Sequence, residues 1–289
     1  MWGACRLRDS YSRIILPLAT AALFVAAWQV ACELMTYPVK LPDGTVRWIE
    51  TFPKPWQTLT EMRGPIADGT ILRFAVASVY RVAVGFTIAA LIGIPLGLWA
   101  GWFARGAQAI NPLIQALRPI SPIAWIPLAV LWFGVKDEAA IFLIALASFF
   151  PIVTGAMTGV STIPIVYVRS AQGFGLSGFE LFRHVVFPAA TPAIITSLRL
   201  ALGIAWMVIV AAEMIAVDSG LGYMIMDSRN ANNYERVVGA MIVIGLIGVG
   251  LDLLVRRLER MDAVRWGFPN DRQTIAAVGT ARPAGGATR

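Results

Sequence analysis

The chain has 289 residues, of which 57% are hydrophobic and 14% are charged, and its formal net charge is +7. A soluble domain usually carries about 25% charged residues, so the composition excludes an ordinary soluble globular protein. Long uncharged stretches alternate with short segments that hold the charges. This pattern predicts an all-α membrane protein with several spans. Because the arginines flank apolar segments, the basic balance indicates membrane orientation rather than nucleic-acid binding.

The N-terminal segment resembles a signal peptide, because three arginines precede the apolar run from Ile14 to Ala31. The run is long for a cleaved signal, which favours an uncleaved anchor over a cleaved leader. Cys5 precedes this span and Cys32 lies near its far end, so no internal disulfide is expected. The proline-rich stretch that follows predicts a loop on the membrane surface, with a short interfacial helix over 55–63.

Apolar segments long enough to cross a bilayer predict six transmembrane helices. The predicted spans are 14–33, 74–102, 112–134, 139–160, 192–215 and 237–255. In the second span, Gly85, Gly93, Gly97 and Gly101 recur at spacings of four or eight, which favours close helix packing. Glycines are also common in any span, so this spacing leaves the plainer interpretation open.

The third predicted span is unusual because it holds four prolines, at positions 112, 119, 122 and 127. Proline removes a hydrogen-bond donor and kinks a helix. Broken backbone at membrane depth is tolerated where protein or a water-filled cavity satisfies it, so the segment is predicted to face the bundle interior. The alternative is that the first prolines lie outside the membrane. Ser121 and Trp125 on this segment are candidates for lining a pathway, or for plain packing.

Orientation follows from the arginines and lysines near the span ends. More of them fall on the side that holds both termini and the polar loop 161–191, so that side is predicted to be cytoplasmic. The predicted organisation is an anchor helix and extracytoplasmic loop over 1–70, a core membrane domain over 71–262, and a disordered cytoplasmic tail over 263–289.

Loop 161–191 contains an apolar pattern of its own. Leu176, Phe179, Phe182 and Val186 recur at helical spacing. This predicts a short amphipathic helix outside the bilayer, preceded by Gly173. Such a helix needs a partner, which is either the membrane surface or a groove in another protein.

The same loop resembles a motif of importer permeases of the ATP-binding-cassette (ABC) class, written Glu-Ala-Ala, three residues, Gly, nine residues, Ile-x-Leu-Pro. Here Gly175 and Pro188 match outright, whereas Arg169, Ser170, Val185 and Phe187 are departures. In that family the loop is a coupling helix docked in a groove of a cytoplasmic ATPase. The resemblance therefore assigns ATPase coupling to Arg169, Ser170, Ala171, Gly175, Leu176, Phe179, Phe182, Val185 and Pro188.

Further segments resemble one branch of that family over roughly residues 70–262. They are 118–127, 131–134, 199–203 and 211–215. The branch imports nitrate, bicarbonate, taurine and aliphatic sulfonates, so the resemblance implies a permease of the type I ABC importer fold for a small oxyanion. It also implies a bacterial inner-membrane location, contact with lipid, an extracytoplasmic substrate-binding protein and a second permease copy. A homodimer is expected, although pairing with a relative stays open.

A phosphate-binding loop of the Gly-Lys-Ser/Thr type is absent from the sequence, since none of the three lysines follows a glycine. The chain is therefore not expected to be an enzyme or to hold a cofactor. ATP and Mg²⁺ are expected in a partner ATPase.

Several polar side chains interrupt the spans. Arg199 and Asp252 lie near the cytoplasmic ends of the fifth and sixth spans and are predicted to form a structural ion pair. Glu213 lies near the outer end of the fifth span, where it could gate or repel an anion or be a hydrogen-bonded acid. His184 is the single histidine and has no cluster of ligands around it, so no metal site is expected.

Two rival functions remain at this point. An ion-coupled secondary transporter predicts ionisable residues in mid-membrane, and the span centres are nearly free of them. A membrane-embedded enzyme predicts His, Asp or Cys clusters on facing helices, which the sequence does not indicate. Neither rival explains the spacing within loop 161–191.

Overall fold

The computed structural model describes the backbone of residues 3–35, 37–40, 46–49 and 52–259, and the side chains of 15–16, 18–35 and 52–257. The predicted tail 263–289 lies outside the described residues. In chain order the elements are α1 (Gly3–Leu34), β1 (Tyr37–Lys40), β2 (Val46–Ile49), α2 (Pro55–Glu61), α3 (Arg63–Ala67), α4 (Thr70–Trp102), α5 (Ala104–Leu117), α6 (Ile126–Phe133), α7 (Asp137–Ser161), α8 (Ile165–Gly173), α9 (Gly178–Leu181), α10 (Phe187–Ile215), α11 (Leu221–Asn230) and α12 (Tyr234–Glu259).

The helices confirm the all-α membrane class. Four are long and apolar enough to cross a bilayer: α4, α7, the run Gly178–Ile215 and the stretch Tyr234–Arg257 of α12. The described apolar part of α1, Leu18–Leu34, is shorter. A bent pair formed by Ala104–Leu117 and Pro122–Phe133 passes the same test when its halves are taken together. The described residues therefore show four spans, or five with the bent pair, and the count of six stays a prediction.

The strands β1 and β2 form an antiparallel hairpin that the all-α prediction did not include. Tyr37 pairs with Ile49 and Lys40 pairs with Val46. The sequence carries a turn signal between them, Pro42-Asp43-Gly44, flanked by residues with high β-propensity. That signal would have identified the hairpin.

The chain forms two compact units. The first comprises the described parts of Met1–Ala77 and Ser219–Gly245, and the second those of Ser78–Asp218 and Leu246–Arg289. The boundaries predicted from the sequence, at 70 and 262, stay a prediction.

Within the first unit, short helices follow the hairpin, as predicted over 55–63. The Met62 side chain is buried where Gly239 leaves room for it. The Trp28 indole N–H donates to the Pro53 carbonyl at 3.2 Å. Before α4, the Asp68 carboxylate accepts a hydrogen bond from the Thr70 backbone N–H at 2.9 Å, which lowers the pKa of Asp68 and caps the helix.

The third predicted span is broken, as its prolines indicate. Its two halves meet at 83°, with the break between Leu117 and Pro122. Ser121 precedes a short 3₁₀ turn, Pro122–Trp125, and its Oγ accepts a hydrogen bond from the Ile123 N–H at 3.3 Å. The helix begins at Ala104 rather than at Pro112, because a proline inside α5 is tolerated at the expense of one backbone hydrogen bond.

The fifth predicted span begins earlier than residue 192. Helical backbone runs from Gly178 to Ile215. It passes through one π-helical turn, Phe182–Val186, directly before Pro188 in the first turn of α10. Proline cannot donate the backbone bond that a regular helix needs there, and the wider turn accommodates its ring. Helical backbone therefore extends into the predicted loop 161–191, where a short helix was expected, and the placement of that loop outside the bilayer stays a prediction.

The glycines of the second span are packing residues, as their spacing predicts. All four line α4 where it lies against α7. A Cβ on Gly85 would lie 2.8 Å from the Ile141 carbonyl oxygen, and one on Gly97 would lie 2.5 Å from the Val153 carbonyl oxygen. We call this close contact the α4–α7 seam. It requires glycine on α4, because a side chain there would collide with α7.

The opposite face of α7 packs on α10 in the same manner. Gly159 lies against Ala190 and Ala193, and Ser197 occupies the space beside Gly155. Nearer the start of α10, Val186, Ala190 and other side chains form a buried apolar cluster. Its fully buried members are Leu98, Ala156, Val160, Val186, Ala190 and Ile194. The helices α4, α7 and α10 thus form the close-packed centre of the second unit.

Candidate functional site

Helix α8 ends in a specific cap that explains part of the motif spacing. The Leu176 N–H donates to the Ala171 carbonyl at 3.1 Å, and the Gly175 N–H donates to the Gln172 carbonyl at 2.9 Å. These two bonds define a Schellman motif, in which the residue after the helix adopts a left-handed conformation. Gly175 has a φ of +88°. The turn therefore explains the glycine at 175, because residues with a Cβ rarely adopt a positive φ.

An apolar surface is exposed around this cap. Phe174 is 89% exposed and Phe179 is 72% exposed. Side chains at the start of α8 extend the patch, and we call the whole set the α8 surface: Ile165, Val166, Tyr167, Phe174 and Phe179. Exposed apolar side chains at the start of a short helix and beside its rigid C-terminal turn provide a surface suited to a partner.

The predicted coupling residues divide into two groups in the structure. Phe179 is exposed, as are Arg169, Ser170, Gly175 and Pro188. The other predicted residues are partly or fully buried: Ala171, Leu176, Phe182 and Val185. The Phe182 ring meets Trp102 edge-on, with 6.2 Å between centroids. The buried side chains attach the segment to the helices of its own unit. The exposed side chains face outward, where a partner could contact them. The predicted coupling role stays a prediction.

A network of buried charges lies within the second unit, on α4, α7 and α10. Arg81 is 1% exposed, and its Nη1 lies 2.7 Å from Glu213 Oε1. The second carboxylate oxygen of Glu213 accepts a hydrogen bond from Ser78 Oγ at 2.9 Å. The Nε and Nη2 of Arg81 donate to Asp137 Oδ1 at 2.9 and 2.7 Å. We call these four residues the Arg81 latch.

The latch bears on the two alternatives drawn from the sequence for Glu213. Its side chain is completely buried and bonded to α4, which fits the hydrogen-bonded acid rather than an open pathway position. Arg81 and Glu213 were not paired in the predictions from the sequence. The signal was present, because Ser78 and Arg81 share a helix face and a charge inside a span requires a partner.

The predicted pair of Arg199 and Asp252 is brought together in the structure. Arg199 Nη2 lies 2.8 Å from Asp252 Oδ1, and Arg199 Nε donates to the same oxygen at 2.9 Å. Arg256, one turn along α12, binds the other oxygen at 2.7 Å. The pair therefore links α10 to α12, and its role stays a prediction.

The two remaining pathway candidates lie at the break of the bent pair. Ser121 is exposed, and Trp125 is partly buried at the end of the 3₁₀ turn. The structure places both where two helices meet at 83°. Their pathway role stays a prediction.

Comparison with known proteins identifies the class. The family model described as binding-protein-dependent transport system inner membrane component matches residues 93–261.

Relatives of similar length support this class. A putative ABC transporter permease of Methanocaldococcus jannaschii is 36% identical over 85% of this chain and 90% of its own length. The taurine transport system permease of Escherichia coli is 33% identical over 86% of this chain and 88% of its own. A nitrate import permease of Leptolyngbya laminosa is 34% identical over 81% of this chain and 82% of its own. The chain therefore belongs to the binding-protein-dependent family of ABC transporter permeases.

A solved structure shows the same fold. A chain of the methionine ABC transporter MetNI, in an inward-facing conformation, matches with a TM-score of 0.57 and 15% identity. The match covers 64% of this chain and 92% of that chain. It establishes the type I permease fold, and at this identity it establishes the fold alone.

Proposed function

We propose that the chain is the membrane permease of an ATP-driven importer for a small oxyanion, such as nitrate, an aliphatic sulfonate, taurine or bicarbonate. Relatives named for taurine and nitrate transport, each about one third identical over most of the chain, support the substrate class. An extracytoplasmic binding protein delivers the anion, and this chain supplies the path through the membrane without covalent chemistry.

The observation that carries the proposal is the α8 surface. Phe174 and Phe179 are large apolar side chains, exposed next to a rigid Schellman turn. Docking in a groove of a cytoplasmic ATPase would remove them from water, which favours association by about 25 cal/mol per Å² of apolar area. The buried members of the loop then transmit the movement of the ATPase to α10.

The proposed assembly is a pair of permeases with two ATPases in a bacterial inner membrane, and both termini of each permease are cytoplasmic. ATP and Mg²⁺ belong to the ATPases. ATP binding draws the ATPases together, the α8 surfaces follow, and the path opens first to one side and then to the other. Two copies of this chain form the pair.

The proposal is tested by affinity purification from the native membrane in mild detergent. Wild-type protein is compared with Phe174→Asp, which places a charge on the exposed α8 surface. The wild type should recover an ATPase subunit in about equal amount, and the variant should lose most of it, because an unpaired charge in an apolar interface is costly.

A matched control is Leu34→Asp. Leu34 is also exposed and apolar, at 81% exposure, but it ends α1 and lies far from α8 in the chain. It should recover the ATPase as the wild type does. The proposal is overturned if Phe174→Asp and the wild type recover the same amount, or if neither recovers any ATPase while both remain folded.

A further inference from the structure

The two carboxylates of the Arg81 latch have different surroundings. Glu213 is completely buried, whereas the Asp137 side chain is 53% exposed. Breaking the Glu213 contact would leave a carboxylate buried without its cation, whereas the Asp137 carboxylate is exposed enough to be hydrated when it leaves Arg81. Of the two contacts, the one with Asp137 is therefore the less costly to break.

Asp137 lies close in the chain to the bent helix pair. Asp137 is the first residue of α7, and only three residues separate it from the end of α6. Gly134, between the two helices, has a φ of +77°. A movement of the bent pair would reach Asp137 through this connection of three residues. Its break from Arg81 would leave the Glu213 contact intact.

The latch also lies at one end of the α4–α7 seam. Ala139 and Ala140 follow Asp137 and are completely buried, and Gly85 of α4 contacts Ile141 and Ile144 one turn further on. The Arg81–Asp137 ion pair joins α4 to α7 at this end of the seam. Loss of this contact should therefore free the first turn of α7 while the glycine seam holds the rest.

We propose that Asp137 is the releasable half of the Arg81 latch, a positioning residue that closes the first turn of α7 onto α4 and opens it when the bent pair moves. Arg81 stays bound to Glu213 in both states, so the guanidinium is never left buried without a partner. The inference concerns the permease alone and does not depend on the substrate.

The test measures thiol exposure in the full-length protein. Cys5 and Cys32 are replaced by serine, and the protein is placed in lipid nanodiscs, where both membrane faces are open to solvent. Ala140→Cys reports on the first turn of α7. Ser148→Cys, an isosteric change at a completely buried position, reports on the same helix further along. The rate of reaction with a small maleimide measures opening at each site.

Asp137→Asn should raise the labelling rate of Ala140→Cys about fivefold, and should leave that of Ser148→Cys within about twofold. General destabilisation would raise both rates together. Asp137→Glu, which restores a carboxylate, should return the labelling rate of Ala140→Cys close to its value with Asp137. Glu138→Gln is the matched control, because Glu138 is exposed in the same first turn and loses the same charge.

A double-mutant cycle connects the effect to Arg81. Arg81→Lys keeps a cation for Glu213 but lacks the Nε–Nη2 fork that binds Asp137. In that background Asp137→Asn should add nothing to the labelling rate of Ala140→Cys. The proposal is overturned if the two changes are additive, if Glu138→Gln acts like Asp137→Asn, or if both reporters rise equally. It is also overturned if Asp137→Asn prevents folding, since a releasable contact cannot be required for the fold.

These measurements use the resting permease without ATP. A negative result therefore counts against the latch and leaves the proposed ATPase partner untouched. Conversely, failure to recover an ATPase from the membrane has no bearing on the labelling rates.

Discussion

At the scale of single residues, the buried charges are the features whose removal has the largest expected cost. Arg81 and Glu213 lie 2.7 Å apart with almost no solvent contact, and Ser78 completes the hydrogen bonding of the carboxylate. Such a pair contributes little compared with apolar side chains of the same volume, but removing one partner leaves the other buried and uncompensated.

Arg81→Met should therefore destabilise the protein by about 3–5 kcal/mol, because Glu213 is left without a cation. Arg81→Met combined with Glu213→Gln should recover part of this loss, since no buried charge remains. The measurement is the thermal unfolding midpoint in detergent. The control is Arg73→Met, at an exposed position, which should change stability by less than about 0.5 kcal/mol. If Arg81→Met and Arg73→Met lowered the unfolding midpoint equally, that result would contradict this account.

Gly175 and Gly173 offer a second comparison between neighbouring residues. Neither would bring a Cβ within 4 Å of another atom, but only Gly175 has a positive φ. Gly175→Ala should loosen the end of α8 by about 1–2 kcal/mol, and Gly173→Ala should be neutral or slightly stabilising. Hydrogen exchange of the amides at 171–176 measures the difference. Equal protection in the two variants would show that Gly175→Ala introduces no backbone strain.

At the scale of elements, side-chain volume added within the α4–α7 seam should force the two helices apart. Gly97→Ala places a Cβ against the Val153 carbonyl and Ala156, so the helices must separate, at a cost of about 1–3 kcal/mol. Gly250→Ala on α12 is the control, because it meets no atom within 4 Å and should be neutral or stabilising by about 0.5–1 kcal/mol. Thermal midpoints that fall equally would show that the seam is not close-packed.

Much of the element structure was accessible from the sequence. Glycine spacing indicated the α4–α7 seam, and the prolines indicated the break in the third span. A short helix was predicted from the spacing of Phe179, Phe182 and Val186, but its continuity with α10 through the π turn at Phe182–Val186 was not. That continuity depends on contacts of Val186 and Ala190 with other helices, which local sequence does not contain.

At the scale of the whole molecule, the family and the fold class followed from motifs spread along most of the chain. The Arg81 latch did not, because it joins residues 56 and 132 positions apart. A charge within a span predicts that a partner exists, but several carboxylates near span ends could have supplied it. Arg199 and Asp252 were paired correctly because both interrupt apolar runs at the same predicted depth.

The central claim is that ATP, and not an ion gradient, drives import through this chain. The most direct test is uptake of labelled nitrate, taurine and bicarbonate into proteoliposomes that contain the permease and its co-purified ATPase, with the binding protein and substrate outside and ATP inside. The account predicts that uptake of at least one of these anions requires ATP hydrolysis and survives ionophores that abolish proton and sodium gradients. Uptake that proceeds without ATP and stops when those gradients are removed would contradict it and support an ion-coupled transporter.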